Sequence, residues 1–135
     1  MKISTDGKTY PDHLAVLNGL FGKSLGQHSM AVSPLRDAVA WFPHVSEDDR
    51  ESPNGYINRI SNDGKEILEF WPNKKVGERE LAGKLCDRVV FAHFLGRPRE
   101  YEFLGVFKFD SAEKDHIRFV RTKTEINTDD YWPID

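Results

Sequence analysis

One cysteine, Cys86, stands in a chain of 135 residues, so no internal disulfide can form and a reducing, cytoplasmic setting is expected. No apolar run approaches the roughly 18 residues that a membrane-spanning helix needs. The opening residues, Met1 to Gly7, lack the apolar core of a signal peptide, so a soluble protein with no membrane partner is expected. Positive charge is lacking overall: the formal net charge of −3 argues against indiscriminate binding to phosphate backbones. No Gly-rich phosphate-cradling motif occurs. The histidines His13, His28, His44, His93 and His116 are scattered, none four residues from another, so neither a metal nor a cofactor is expected. Cys86 precedes a β-forming run and reads as a packing residue rather than a nucleophile.

The length is that of one domain, residues 1–135, large enough to bury a sizeable core. Two long strand-forming runs, Arg88 to Leu95 and Tyr101 to Phe109, flank a basic turn, Gly96 to Glu100, and predict a β-hairpin. By simple alternation Tyr101, Phe103, Gly105, Phe107 and Phe109 share one face of the second strand. Glu102, Leu104, Val106 and Lys108 share the other. Asn62-Asp63-Gly64 between Tyr56–Ser61 and Lys65–Trp71 predicts a second hairpin. Its strands interleave Asn58 and Glu69 among large apolar residues, a local conflict of the kind that tends to mark functional sites. Glu69 paired with Arg59 across the hairpin is the plain alternative.

Elsewhere, Lys2–Ser4 reads as an edge strand. Thr9 or Tyr10 would cap a helix of about three turns that carries Leu14, Leu17 and Phe21. Lys23 to Ser33 and the acidic stretch His44 to Pro53 read as loops, and Ala38 to Phe42 as a buried strand stopped by Pro43. Pro34 to Asp37 and Pro72 to Lys75 read as turns, Val76 to Leu85 as a helical turn, and His116 to Thr122 as a last strand. The tail around Tyr131-Trp132 would tuck back or remain loose. These elements predict an α+β domain on a strongly curved sheet of about six strands with one or two short helices.

Several stretches resemble the PUA-like β-barrel superfamily. They are Gly83 to Phe91, in which Lys84-Leu85-Cys86 separates glycine from aspartate, and Phe103-Leu104-Gly105-Val106-Phe107. In particular they are similar to the SRA and EVE domains that read modified cytosine in restriction systems. Trp41-Phe42-Pro43, Gly55 to Asn58, Ser61, Asp63-Gly64 and Glu69 are similar to small bacterial domains found beside HNH nucleases. The resemblance spans Tyr10 to Thr128 and implies a PUA-like pseudobarrel. It also implies a reader of a modified base, flipped from DNA or taken from a single strand, with cleavage left to a nuclease domain or subunit, since no nuclease motif is present here. Such a site stacks the base between aromatic faces and hydrogen-bonds its edge. Trp41, Tyr56 and Trp71, with Phe42 beside them, are the stacking candidates. Asn58, Asp63 and Glu69 are the candidates for the edge. Arg97 and Arg99, extended by Lys108, Arg118 and Arg121, are candidates for phosphate contacts.

Two other readings are open. The acidic balance and the Ser46–Glu51 stretch suit a protein-interaction or regulatory subunit that binds no nucleic acid. Asp63, Glu66 and Glu69 would be the carboxylates of a small metal-dependent nuclease.

Overall fold

The Asn62-Asp63-Gly64 turn forms as its residues require, with Gly64 at φ +72°, where glycine meets no Cβ penalty. It belongs to a computed structural model that describes residues 1–48, 50–53, 55–71 and 86–134. In chain order the elements are β1 (Lys2–Ser4), β2 (Thr9–Tyr10), α1 (His13–Leu17), β3 (Val32–Leu35), β4 (Ala38–Trp41), β5 (His44–Ser46), β6 (Ile57–Ile60) and β7 (Glu66–Phe70). Then follow β8 (Asp87–Phe94), β9 (Tyr101–Ala112), β10 (His116–Lys123), β11 (Glu125–Asn127) and a 3-10 turn at Thr128–Asp130.

Six strands close into a ring in the order β8, β9, β10, β7, β6, β5 and back to β8. β5 runs parallel to both of its neighbours, and the other contacts in the ring are antiparallel. Closure gives each strand of the ring a neighbour on both sides. β4 and β3 extend the sheet beyond β8, β2 adds to β9, and β1 pairs separately with β11. This is the curved pseudobarrel that the sequence implies.

The barrel wall has a hydrophobic core on each side. Inside lie Trp41, Val45, Ile67, Val90, Phe107 and Phe119. Outside, α1 and the chain ends cover Phe42, Val89, Phe91, Tyr101 and Phe103. The alternation expected along β9 fails at one point. Val90 pairs with Gly105 but Phe91 pairs with Phe103, so β9 carries one extra residue, a β-bulge. Tyr101, Phe103 and Val106 therefore face the outer core, while Leu104, Phe107 and Phe109 face the barrel interior. Gly105 sits at φ +115°, and a Cβ there would come 2.4 Å from the Lys123 carbonyl. Simple period-2 reading cannot see a bulge, which explains why the aromatic face divides.

Other expectations change for local reasons. Asp12 rather than Thr9 or Tyr10 caps α1, its carboxylate accepting from Ala15 N at 2.8 Å, and Thr9–Tyr10 instead pair with β9. The regular helix is five residues long and is followed by turns, because Gly19 and Gly22 end it early. Val32–Ser33 and His44–Ser46 are strand, not loop; β5 is short, and only its sheet partners make it recognisable. β9 continues to Ala112, three residues beyond the Phe109 at which the strand-forming run is expected to end. The tail packs back, with Tyr131 buried and Lys23 Nζ 4.4 Å from the centre of the Trp132 ring. The turn at Pro72–Lys75, the helical turn at Val76–Leu85 and the motif residues Gly83 to Leu85 lie outside the described residues.

Candidate functional site

β4 and β5 are two halves of one strand beside β8, interrupted at Phe42 and Pro43. Pairing with β8 runs from Ala38–Asp87 to Trp41–Val90, then resumes at His44–His93. On their other edges the halves diverge, β4 to β3 and β5 to β6. The sheet splits there, and a cavity of about 110 Å³ occupies the split. One water takes roughly 30 Å³ in the liquid, so the space is molecular in size. Ala31 and Val32 line it from the β3 side, Trp41, Phe42, Pro43 and His44 at the interruption, and Ser52, Tyr56, Asn58 and Glu69 from the other side. The backbone at the split stays satisfied: Phe42 N donates to Ala31 O at 2.8 Å, and Pro43 O accepts from His93 N at 3.0 Å.

Two buried polar side chains form part of this wall. Asn58 is 5% exposed; its Nδ2 donates to His44 O at 3.3 Å, and its Oδ1 has no hydrogen-bond partner among the described residues. Glu69 is 3% exposed, and its carboxylate lies 3.6 Å from the Arg88 guanidinium. Arg88 is itself held inside the barrel between the rings of Trp41 and Phe119, 4.5 and 4.3 Å from their centroids. A cation packed between two aromatic faces thus fixes a carboxylate at the cavity wall. Both the Asn58 Oδ1 and the Glu69 carboxylate are acceptors, and the Asn58 Oδ1 is the one that asks for a donor.

A family model described as SRA, the SET and RING associated domain, matches residues 2–128. The chain belongs to the SRA family. Among solved structures it is similar to "The 5-Hydroxymethylcytosine-Specific Restriction Enzyme AbaSI", with 26% identity and a TM-score of 0.78. That likeness covers 99% of this chain and 44% of that enzyme, so the chain spans less than half of the enzyme's length. Nothing matches among curated proteins.

Within this SRA domain, Trp41, Phe42, Tyr56, Asn58 and Glu69 come together around the cavity, while Asp63 and Trp71 do not. Asp63 is exposed in the hairpin turn. Its carboxylate accepts from Lys65 N at 3.0 Å and Ser61 Oγ at 2.8 Å, and these bonds hold it below the usual carboxylate range. Trp71 packs against the barrel core beyond β7, its indole Nε1 buried without a partner among the described residues. Arg59 lies on the other face of β6 from Asn58, over Phe70, so Glu69 meets Arg88 instead.

The carboxylates of the nuclease reading are dispersed. Glu66 is three residues from Glu69 on β7, hence on the opposite face, and binds Arg118. Among the described residues no group of three or more His, Cys, Asp or Glu is arranged to hold a metal.

Of the expected phosphate contacts, Arg97 and Arg99 are exposed on the β8–β9 loop and Lys108 is exposed on β9. Arg118 grips Glu66 at 2.7 Å and Asp110 at 2.6 Å, which raises its pKa further. Arg121 is packed over Gly105 and reaches the Leu104 carbonyl at 3.5 Å.

Sequence reasoning missed the histidines. His13 and His28 meet Nδ1 to Nδ1 at 2.8 Å, and His44 and His93 do so at 2.9 Å. The His13 ring stacks on Phe42 with centroids 3.9 Å apart. Burial, helped by the charges of His28, Arg99 and His44, pushes His13 down to about 4. His44 is lowered by burial, then by His93 and Arg99. These rings come from α1, the loop after it, β5 and β8, so no sequence spacing links them.

Proposed function

We propose that this SRA domain reads a modified nucleobase, flipped from duplex DNA or taken from a single strand, in a restriction setting. Cleavage belongs to a separate nuclease domain or subunit. The observation that carries the reading is Asn58: a buried amide at the cavity wall, held by His44 O, whose Oδ1 is left for a ligand. A buried acceptor of this kind costs about 1–3 kcal/mol until it is met. Together with the Glu69 carboxylate it favours a base that brings an exocyclic amine. Cytosine presents such a donor and thymine presents an oxygen in its place. Tyr56, half-buried at the cavity, and the walls Trp41 and Phe42 supply the aromatic surface on which a base stacks. Similarity to an enzyme named for 5-hydroxymethylcytosine makes that base the first ligand to try.

The test is a binding series on matched oligonucleotides carrying hydroxymethylcytosine, methylcytosine, cytosine or thymine at one position, at low salt. Tighter binding to a modified cytosine than to cytosine or thymine is expected. Binding to none of them, or equal binding to all, overturns the proposal.

A further inference from the structure

We propose that His13 and His44, together with Arg99, form the seat for a backbone phosphate of the nucleotide whose base enters the cavity, and that filling this seat takes up a proton. The inference rests on the base-reading proposal and adds a phosphate subsite and a proton to it.

Hydrogen-bond partners fix where the imidazole protons sit. His28 Nε2 lies 3.2 Å from Val32 O, and a carbonyl only accepts, so that nitrogen carries hydrogen. In neutral His28 the bare Nδ1 then accepts from His13 Nδ1 at 2.8 Å, which leaves Nε2 of His13 without a proton. The second pair repeats the pattern. His93 Nε2 donates to Arg97 O at 3.1 Å, its Nδ1 accepts from His44 Nδ1 at 2.9 Å, and Nε2 of His44 is left bare. Each pair thus presents one basic nitrogen, from the histidine nearer the cavity. His44 lines the cavity, and His13 stacks on Phe42, which also lines it.

A phosphate oxygen only accepts, so it gains a bond from either bare nitrogen when that nitrogen is protonated. The product is an imidazolium beside a phosphate, a charge-assisted bond. The surroundings oppose this charge until the anion arrives. His28 from the loop after α1 meets His13 directly, and the Tyr101 ring of β9 is edge-on to it. The charges of Arg99 on the β8–β9 loop and His44 on β5 oppose its protonation, and that of Asp12, next to it in the chain, favours it. His44 meets His93 directly, and the charge of Arg99 opposes its protonation as well. Asp12 is the acid of this group, and its carboxylate is engaged at the α1 cap. A phosphate reverses the balance by setting its own charge against Arg99 and the new imidazolium. The base and phosphate of one nucleotide are joined through a single sugar, which matches a seat bordering the cavity.

The experiment uses the whole chain and an oligonucleotide with one hydroxymethylcytosine, with affinity measured from about pH 8 to about pH 6, the range in which unperturbed histidine begins to charge. Calorimetry in two buffers of different ionisation enthalpy counts the protons. Affinity is expected to rise by up to about tenfold per pH unit for each proton taken up, and His13→Gln with His44→Gln to flatten the profile. Asn58→Ala is expected to weaken binding at every pH and keep the slope. Should the double variant fail to fold, histidine resonances of the wild type give the second readout: both rings titrate at higher pH once the oligonucleotide is bound. Binding that is flat in pH, a slope that survives the double variant, or unmoved histidine titrations overturns this inference and leaves base reading intact. Absence of any oligonucleotide binding overturns both.

Discussion

Asn58 and Glu69 are direct partners across the β6–β7 hairpin, and both are buried polar side chains. Their roles differ, because Arg88 sits against Glu69 whereas the Asn58 Oδ1 has no partner among the described residues. Replacing Asn58 should therefore affect ligand far more than fold. Asn58→Leu is expected to leave the thermal midpoint unchanged or slightly raised, since it removes a buried polar group whose other bond is a long one. Oligonucleotide affinity is expected to fall by about 5- to 150-fold, matching the roughly 1–3 kcal/mol of a lost buried hydrogen bond. A melt and a binding isotherm decide it.

Arg88 is a structural cation with a positioning role. Arg88→Met removes the charge that faces Glu69 inside the barrel and is expected to cost about 3–5 kcal/mol of stability. Adding Glu69→Leu to it should restore most of that loss in stability, while oligonucleotide affinity falls because the cavity has lost an acceptor. Denaturant titrations of the single and double variants test the pairing.

Gly105→Ala carries a separate penalty. The new Cβ would sit 2.4 Å from Lys123 O and 2.7 Å from Arg121 Cδ, on a backbone at φ +115°. Overpacking of this kind costs about 1–3 kcal/mol, and the strained backbone adds to it. Unfolding midpoints in urea measure the sum.

Stability should fall in mild acid. His13 is lowered in the folded protein to about 4 from an ordinary 6.5, so between these values the unfolded chain binds more protons. Its contribution is complete above pH 6.5 and is lost as pH falls toward 4. With solvent screening at a half-exposed ring, about 1–2 kcal/mol is expected. His44 acts in the same direction. His13→Phe, which keeps the stack on Phe42, should flatten the loss in that window when melts are compared across pH.

Salt dependence separates the arginines. Arg97→Gln and Arg99→Gln should each lower the slope of log affinity against log salt by about one, the signature of a lost phosphate contact. Arg118→Gln should leave the slope unchanged, because Arg118 is held between Glu66 and Asp110.

Much of this was legible from residue types alone. The Asp63-Gly64 turn fixes the β6–β7 register, and that register places Asn58 opposite Glu69 on the inner face. The apolar run ending at Pro43 marks where the strand breaks, and so brings Trp41 and Phe42 to the cavity. What stayed hidden depends on long-range geometry. The Gly105 bulge shifts alternation by one residue and sends Phe103 and Phe107 to different cores, yet nothing local distinguishes it from a glycine in a regular strand. Trp71 shares the parity of Glu69 and still misses the cavity, because it lies past the end of β7. His13 and His44 meet their partners 15 and 49 residues away, separations that no periodicity encodes.

The interruption at Phe42 and Pro43 also bears on how quickly a ligand can be taken in. Proline has no amide to leave unmet, the Phe42 amide is engaged by Ala31, and the Pro43 carbonyl is engaged by His93. Opening the sheet here breaks no rung of the ladder, so the aperture stands ready in the empty protein. Little is then spent on ordering the receptor during association. The slow step falls to the nucleic acid, in the unstacking of a base from its neighbours.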